Sequence, residues 1–114
     1  MKRRSQIQIN RFQLGVLLNG LEKEFLNCII ENMVYCSHCG KMALKGIFVK
    51  EIYLTKQNDV KVFGICKACS TDVVRLFEFG IQKEFFIRAD NLRSSIHEYI
   101  RESELQVKLA VSDK

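Results

Sequence analysis

Two short cysteine pairs, Cys36-Ser37-His38-Cys39 and Cys66-Lys67-Ala68-Cys69, constrain this chain more than any other feature. A C-x-x-C turn puts two sulfurs on one side of a tight knuckle. Two such knuckles supply the four soft thiolates that tetrahedral zinc takes. The 26 residues between Cys39 and Cys66 must then bring the knuckles together. They contain two apolar-rich runs, Gly46 to Thr55 and Val60 to Ile65, separated by Lys56-Gln57-Asn58-Asp59. That is the pattern of a β-hairpin with a four-residue loop. Cys36, Cys39, Cys66 and Cys69 are therefore expected to hold one structural zinc ion per chain.

The surrounding sequence has the length of one small domain, 114 residues, with no proline, no internal repeat and no low-complexity tract. We expect a single α+β domain over residues 1–114, with a zinc-finger core at 33–80. An N-terminal strand and helix at 6–32 and a C-terminal helix and strand at 84–111 flank it. A metal staple suits a domain this small, because metal binding adds directly to folding free energy. Ile7, Ile9, Phe12, Leu14, Val16 and Leu18 alternate loosely as one or two strands, although Leu14, Leu17, Leu18 and Leu21 also fit a helix. Asn19 with Glu22 three residues on resembles a capping box, opening a helix over about 20–32 that would bury Leu21, Phe25 and Cys28 or Ile29. Glu84 to Ile87 reads as a short strand, Asp90 as the cap of a helix over 91–101, and Leu105 to Val111 as a final strand.

The two knuckles differ in the residues immediately after them. Gly40 after Cys39 can take the positive φ of a tight knuckle, whereas Ser70-Thr71-Asp72 after Cys69 suits a helix N-terminus. Val73, Val74 and Phe77 then form an apolar helical stripe that Gly80 would terminate. Knuckle, hairpin and helix is the order of a treble-clef finger, the preferred reading. The alternative is a zinc ribbon, with a strand after Cys69, for which Val73, Arg75, Phe77 and Phe79 alternate acceptably.

Residues 35–80 thus resemble the zinc-finger superfamily of the two-CxxC type. Cys36-Ser37-His38-Cys39-Gly40-Lys41 with Ile65-Cys66-Lys67-Ala68-Cys69 is similar to the treble-clef zinc domain of the Clp-protease unfoldase, an adaptor-binding dimerisation module. That resemblance implies Cys36, Cys39, Cys66 and Cys69 as ligands. The same pairs also resemble rubredoxin, whose two C-x-x-C-G loops hold a redox iron, but Ser70 stands here in place of the second glycine.

Function classes narrow accordingly. A four-sulfur shell leaves zinc no position for a reactive water. No nucleophile elbow, H-E-x-x-H, phosphate loop or dinucleotide fingerprint is present. No catalytic residue, small-molecule substrate or membrane span is therefore expected. The basic start Met1 to Arg4 lacks a following apolar stretch, and the odd count of five cysteines argues against a disulfide framework. A cytoplasmic protein is expected. The formal charge of +5 falls to about +3 once four thiolates hold a divalent ion.

What remains is a non-catalytic binding module docking a protein partner or nucleic acid, with self-association as one form of the former. A nucleic-acid surface would use the lysine-rich hairpin, with Lys41, Lys45, Lys50, Lys56, Lys61 and Lys67 interleaved by Phe48, Tyr53 and Phe63. The competing expectation is a solvated hairpin whose aromatics face the core. An electron carrier of rubredoxin type is the third possibility. His38 is read as an exposed knuckle residue, His97 as a solvated helix residue and Cys28 as a small core residue.

Overall fold

The computed structural model describes residues 4–112, and side chains as far as residue 99. Its elements run β1 (Ile7–Ile9), α1 (Arg11–Leu17), α2 (Gly20–Asn32), β2 (Tyr35–Cys36), β3 (Lys41–Met42), β4 (Ile47–Leu54), β5 (Val60–Cys66), β6 (Asp72–Phe77), a 3-10 turn (Phe79–Ile81) and α3 (Lys83–Ser112). The result is an α+β domain with two antiparallel sheets. One has four strands in the order β1-β4-β5-β6, and the other is the small pair β2-β3.

The expected hairpin is present as β4 and β5, in register from Ile47 opposite Cys66 to Leu54 opposite Val60. Strict alternation makes β5 the clearest strand. Val60, Val62, Gly64 and Cys66 are buried, whereas Lys61, Phe63 and Ile65 point the other way. In β4 the pairing slips between Val49 and Glu51, which leaves Lys50 as the extra residue of a β-bulge and bends the strand there.

Helix α2 begins where the capping box puts it. Asn19 Oδ1 accepts from the Glu22 amide at 2.8 Å, and Glu22 Oε1 accepts from the Asn19 amide at 2.9 Å. Its buried face differs from the expectation by one position: Glu22, Leu26 and Ile29 face inward, while Leu21, Phe25 and Cys28 are exposed. Burial of Leu26 and Ile29 sets this face, and the carboxylate it turns inward is matched by Arg88 of α3, which donates to both Glu22 oxygens at 2.7 and 2.9 Å. A second capping box, Asn10 with Gln13, starts α1, so the apolar positions 12–17 lie in a helix after a short strand, with Leu18 as its extended C-cap.

Three C-terminal expectations are corrected. The segment after Cys69 is strand β6, not a helix, because Val73 and Phe77 pair against β5 and bury on the sheet's inner face. Gly80 sits within the 3-10 turn instead of ending a helix. Residues 84–87 and 105–111 are not strands but parts of the single helix α3. Phe85 and Ala89 are fully buried and Leu92 and Ile96 partly so, which is one helical stripe spaced at three to four residues.

Asp90 therefore lies inside α3, and its carboxylate serves the tip of the hairpin instead of a helix end. Asn58, wholly buried and at φ 61°, donates to Asp90 Oδ1 at 2.9 Å and to the Phe86 carbonyl at 3.3 Å. Its own Oδ1 accepts from Arg93 Nε at 2.8 Å. Arg93 also donates to the Thr55 and Ser5 carbonyls. Asp59 accepts from the Gly80 amide at 2.8 Å. Arg4 adds a two-pronged bond to Asp90, both arms 2.8 Å. The buried polar side chains of the loop, Thr55, Asn58 and Asp59, are thus all hydrogen-bonded, which fixes its conformation.

The Arg4 hydrogen bond, then that from Asn58 and the charges of Arg4 and Arg93, hold the Asp90 carboxyl down at about 2 despite partial burial working the other way. Because its folded value lies below the ordinary carboxylate range, its contribution is whole above about pH 4 and disappears as pH falls through about 2. Denaturant melts of the wild type and Asp90→Asn should thus differ by a constant amount above about pH 5, and the gap should close between about pH 4 and 2. A gap independent of pH would show that Asp90 is not acting as a charged anchor.

Candidate metal centre

The four cysteines converge as their spacing requires. Their sulfurs all lie within 4.8 Å of one another, with Cys36 and Cys69 at 3.5 Å and Cys39 and Cys66 at 4.0 Å. A tetrahedron with zinc–sulfur bonds of about 2.3 Å has edges of about 3.8 Å, so the cluster has the dimensions of a four-thiolate metal site. Cys36 and Cys66 are completely buried and Cys39 and Cys69 partly so, which seats the centre at one end of the sheet with its outer side near solvent.

Each knuckle is built in the same way. In the first, β2 and β3 pair Cys36 with Lys41, and the Gly40 amide donates to the Cys36 carbonyl at 2.9 Å. In the second, β5 and β6 pair Ile65 with Asp72, and the Ser70 amide donates to the Cys66 carbonyl at 2.8 Å. Gly40 has φ 70° and Ser70 has φ 62°. Ser70 thus occupies the position that glycine fills in the first knuckle, and a residue with a Cβ is strained there. Two hairpin knuckles facing each other give the ribbon arrangement. The polar run Ser70-Thr71-Asp72 is a knuckle exit, although it reads as a helix start.

Electrostatics single out one sulfur. The Thr71 side chain, with Oγ1 3.2 Å from Cys69 Sγ, and then the Thr71 backbone bring the Cys69 thiol down to about 6. Cys39, whose proton is held chiefly by the neighbouring Cys69 and further by burial, is pushed up to about 12. One sulfur thus ionises readily and another keeps its proton until a cation arrives, whose own charge reverses that preference. Among the described residues no histidine or carboxylate joins the four sulfurs within this cluster. His38 and His97 are both exposed, as expected.

The six lysines are not drawn to one spot. Lys61 stands mid-sheet opposite Tyr53 and Leu76. Lys67 sits at the knuckle end, its amide bonded to the Gly46 carbonyl at 3.1 Å, next to Lys45. Lys41 is in β3, Lys50 is the bulge residue and Lys56 lies at the clamped hairpin tip.

The expectation that the hairpin aromatics face the core is overturned. The register puts Phe48, Ile65 and Asp72 in one row across the sheet, Glu51, Phe63 and Val74 in the next, and Tyr53, Lys61 and Leu76 in the third. All lie on the side opposite the buried residues. Phe48, Val74 and Leu76 are exposed and Tyr53, Phe63 and Ile65 are half-buried. Tyr53 and Phe63 meet edge to face at 5.6 Å. Lys61 lies over the Phe63 ring at 5.4 Å and Lys67 over the Phe48 ring at 5.0 Å. The even alternation of β5 carried this information: with Val60, Val62 and Cys66 inside, Phe63 has to be outside.

No family model matches this chain, and no curated protein or solved structure is significantly similar to it.

Two outcomes are expected of substitutions at the knuckles. Ser70→Gly should raise stability by about 0.5–1 kcal/mol, the relief of a left-handed serine less the entropy glycine adds to the unfolded chain. Thermal melts would show it, and a lower melting temperature would mean the serine side chain makes a contact that outweighs the strain. Cys36→Ser should lose bound metal and cooperative melting together, whereas Cys28→Ser should retain both. Metal analysis alongside circular dichroism would check this.

Proposed function

We propose that this protein is a non-catalytic zinc-ribbon module that binds single-stranded nucleic acid on the open face of its four-stranded sheet. The observation that carries the reading is the set of aromatic rings on that face, Phe48 and Tyr53 from β4 and Phe63 from β5, with lysines over two of them. Aromatic side chains on the central strands of an antiparallel sheet are a stacking platform for splayed bases. Lysines beside them meet the phosphates. Strand β4, eight residues long, spans about 25 Å, room for a few nucleotides.

Zinc is the metal proposed, because four thiolates in a tetrahedral cluster suit it and the closed shell leaves only a structural part for it. Cys36, Cys39, Cys66 and Cys69 would hold it. It would supply the charge that draws four thiolates together and so fixes the ends of β5 and β6. The chain's own residues then do the binding: Phe63 and Tyr53 stack, while Lys61 and Lys67, with Lys45 and Lys56 at the two ends, attract the backbone. Scattered lysines and the absence of arginine from the hairpin suit sequence-tolerant binding better than base readout. Cytoplasmic residence fits both the thiolate cluster and this ligand.

The same face supports a second reading, a protein partner or a second copy of this chain. Ile65, Val74 and Leu76 make part of it purely apolar, and Glu51 and Asp72 offset Lys61 and Lys67 there.

Salt separates the two. Binding of a fluorescent single-stranded oligonucleotide should weaken steeply with salt concentration, and Phe63→Ala should cost about 1–3 kcal/mol, a loss of roughly tenfold or more. Lys61→Gln should flatten the salt slope. A salt-insensitive dimer that Phe63→Ala dissociates, with no oligonucleotide binding, would establish the protein-docking reading instead.

A further inference from the structure

We infer that the protein has a second binding site, for an amphipathic carboxylate, in the cleft between helices α1 and α2 and the inner face of the sheet. The cavity there measures about 510 Å³, within the range of about 300–1,000 Å³ typical of small-ligand pockets. Its floor consists of core side chains, among them Leu14, Leu26, Ile47 and Val62, all of them buried. A cleft that reaches down to core side chains admits something slender and apolar.

The rim is of one sign. Arg11 on α1, Lys23 on α2 and Lys67 beyond β5 line the opening, and no carboxylate does. Neither ion pair found among the described residues, Arg4–Asp90 and Arg88–Glu22, involves these three cations. The uncharged amide of Asn27, one helical turn beyond Lys23, adds a donor at the same opening. An apolar interior under a cationic rim is complementary to a hydrocarbon chain that ends in a carboxylate. Its headgroup would replace the counter-charge the rim lacks, and its tail would fill apolar space that water occupies poorly.

Two local features keep the cleft open. Gly15 lies within α1 and lines the cavity, and a Cβ built there would meet nothing within 4 Å. A glycine inside a helix destabilises it, yet no neighbour requires glycine at this position. What its small size provides is width. The β-bulge at Lys50 bends β4 beside Val49 and Ile52, which form the facing wall. This site is on the opposite side of the sheet from Phe63; it meets the proposed nucleic-acid surface at Phe48 and Lys67, whereas Gly15 and Lys23, the residues changed in the test, belong to this cleft alone.

The test is a titration of the full chain with decanoate below its micelle-forming concentration, followed by amide proton–nitrogen correlation spectra. Saturable shifts at Gly15, Leu26, Asn27 and Val62 are expected. Decanoate should bind at least tenfold more tightly than decyltrimethylammonium, which has an equivalent tail and the opposite charge. Gly15→Leu fills the cleft from a site where the fold has space, and it should weaken decanoate at least tenfold without lowering the melting temperature. Lys23→Gln, a surface change that keeps the fold, should weaken decanoate while leaving decanol unaffected. Equal affinity for the two charged amphiphiles, shifts scattered over the sheet's outer face, or unchanged decanoate binding in both variants would overturn the proposal.

Discussion

Everything else in this fold hangs on the meeting of two knuckles. Cys36 and Cys39 belong to the small pair β2-β3, while Cys66 and Cys69 join β5 to β6. The sulfur cluster is therefore the point where the two sheets are tied together. A domain of this size is stable by only a modest margin. A structural metal contributes on the order of 10 kcal/mol in small peptide fingers, so an ion held by these four thiolates would outweigh any single contact in the core. The local strain at Ser70 is tolerable because the cluster overdetermines the turn that contains it.

The opposite end of the hairpin is fixed by a different chemistry. Asn58, Asp59, Asp90 and Arg93 exchange hydrogen bonds until the buried loop has its polar groups matched, and Arg4 closes the network from outside. With sulfur at one end and this polar network at the other, β4 and β5 are held along their length. Helices α1 and α2 stand against the inner face, and the outer face stays open to solvent. A face that is both rigid and uncovered can present aromatic rings in a constant geometry, which is what preorganised binding requires. No helix among the described residues is long and apolar enough to cross a membrane.

How far the sequence discloses this varies with the range of the interaction. The knuckles, the hairpin and the start of α2 depend on neighbours within a few residues, and Cys36-x-x-Cys39, Lys56-to-Asp59 and Asn19-to-Glu22 announce them. The segment after Cys69 was ambiguous because Ser70-Thr71-Asp72 suits a helix start as well as a knuckle exit. Pairing with β5, a tertiary contact, decided it. The residues 84–87 have strand-forming side chains, yet Phe85 and Ala89 share the buried stripe of a helix. Burial outweighed local propensity there. The rotation of α2 is least legible, since the carboxylate it turns inward is matched by Arg88, which lies 66 residues away. The aromatic face is implicit in the alternation of β5, where Cys66 marks the inner side.

The central claim, that one zinc ion bound by four cysteines holds the domain together, is tested most directly by native mass spectrometry before and after treatment with a strong chelator. The account predicts one zinc per chain. Its removal should be accompanied by the broad, high charge-state distribution of an unfolded chain, and by recovery of the compact form when zinc is returned. A compact chain that keeps its charge states after losing the metal, or one carrying a disulfide between Cys36 and Cys69 in place of an ion, would contradict it.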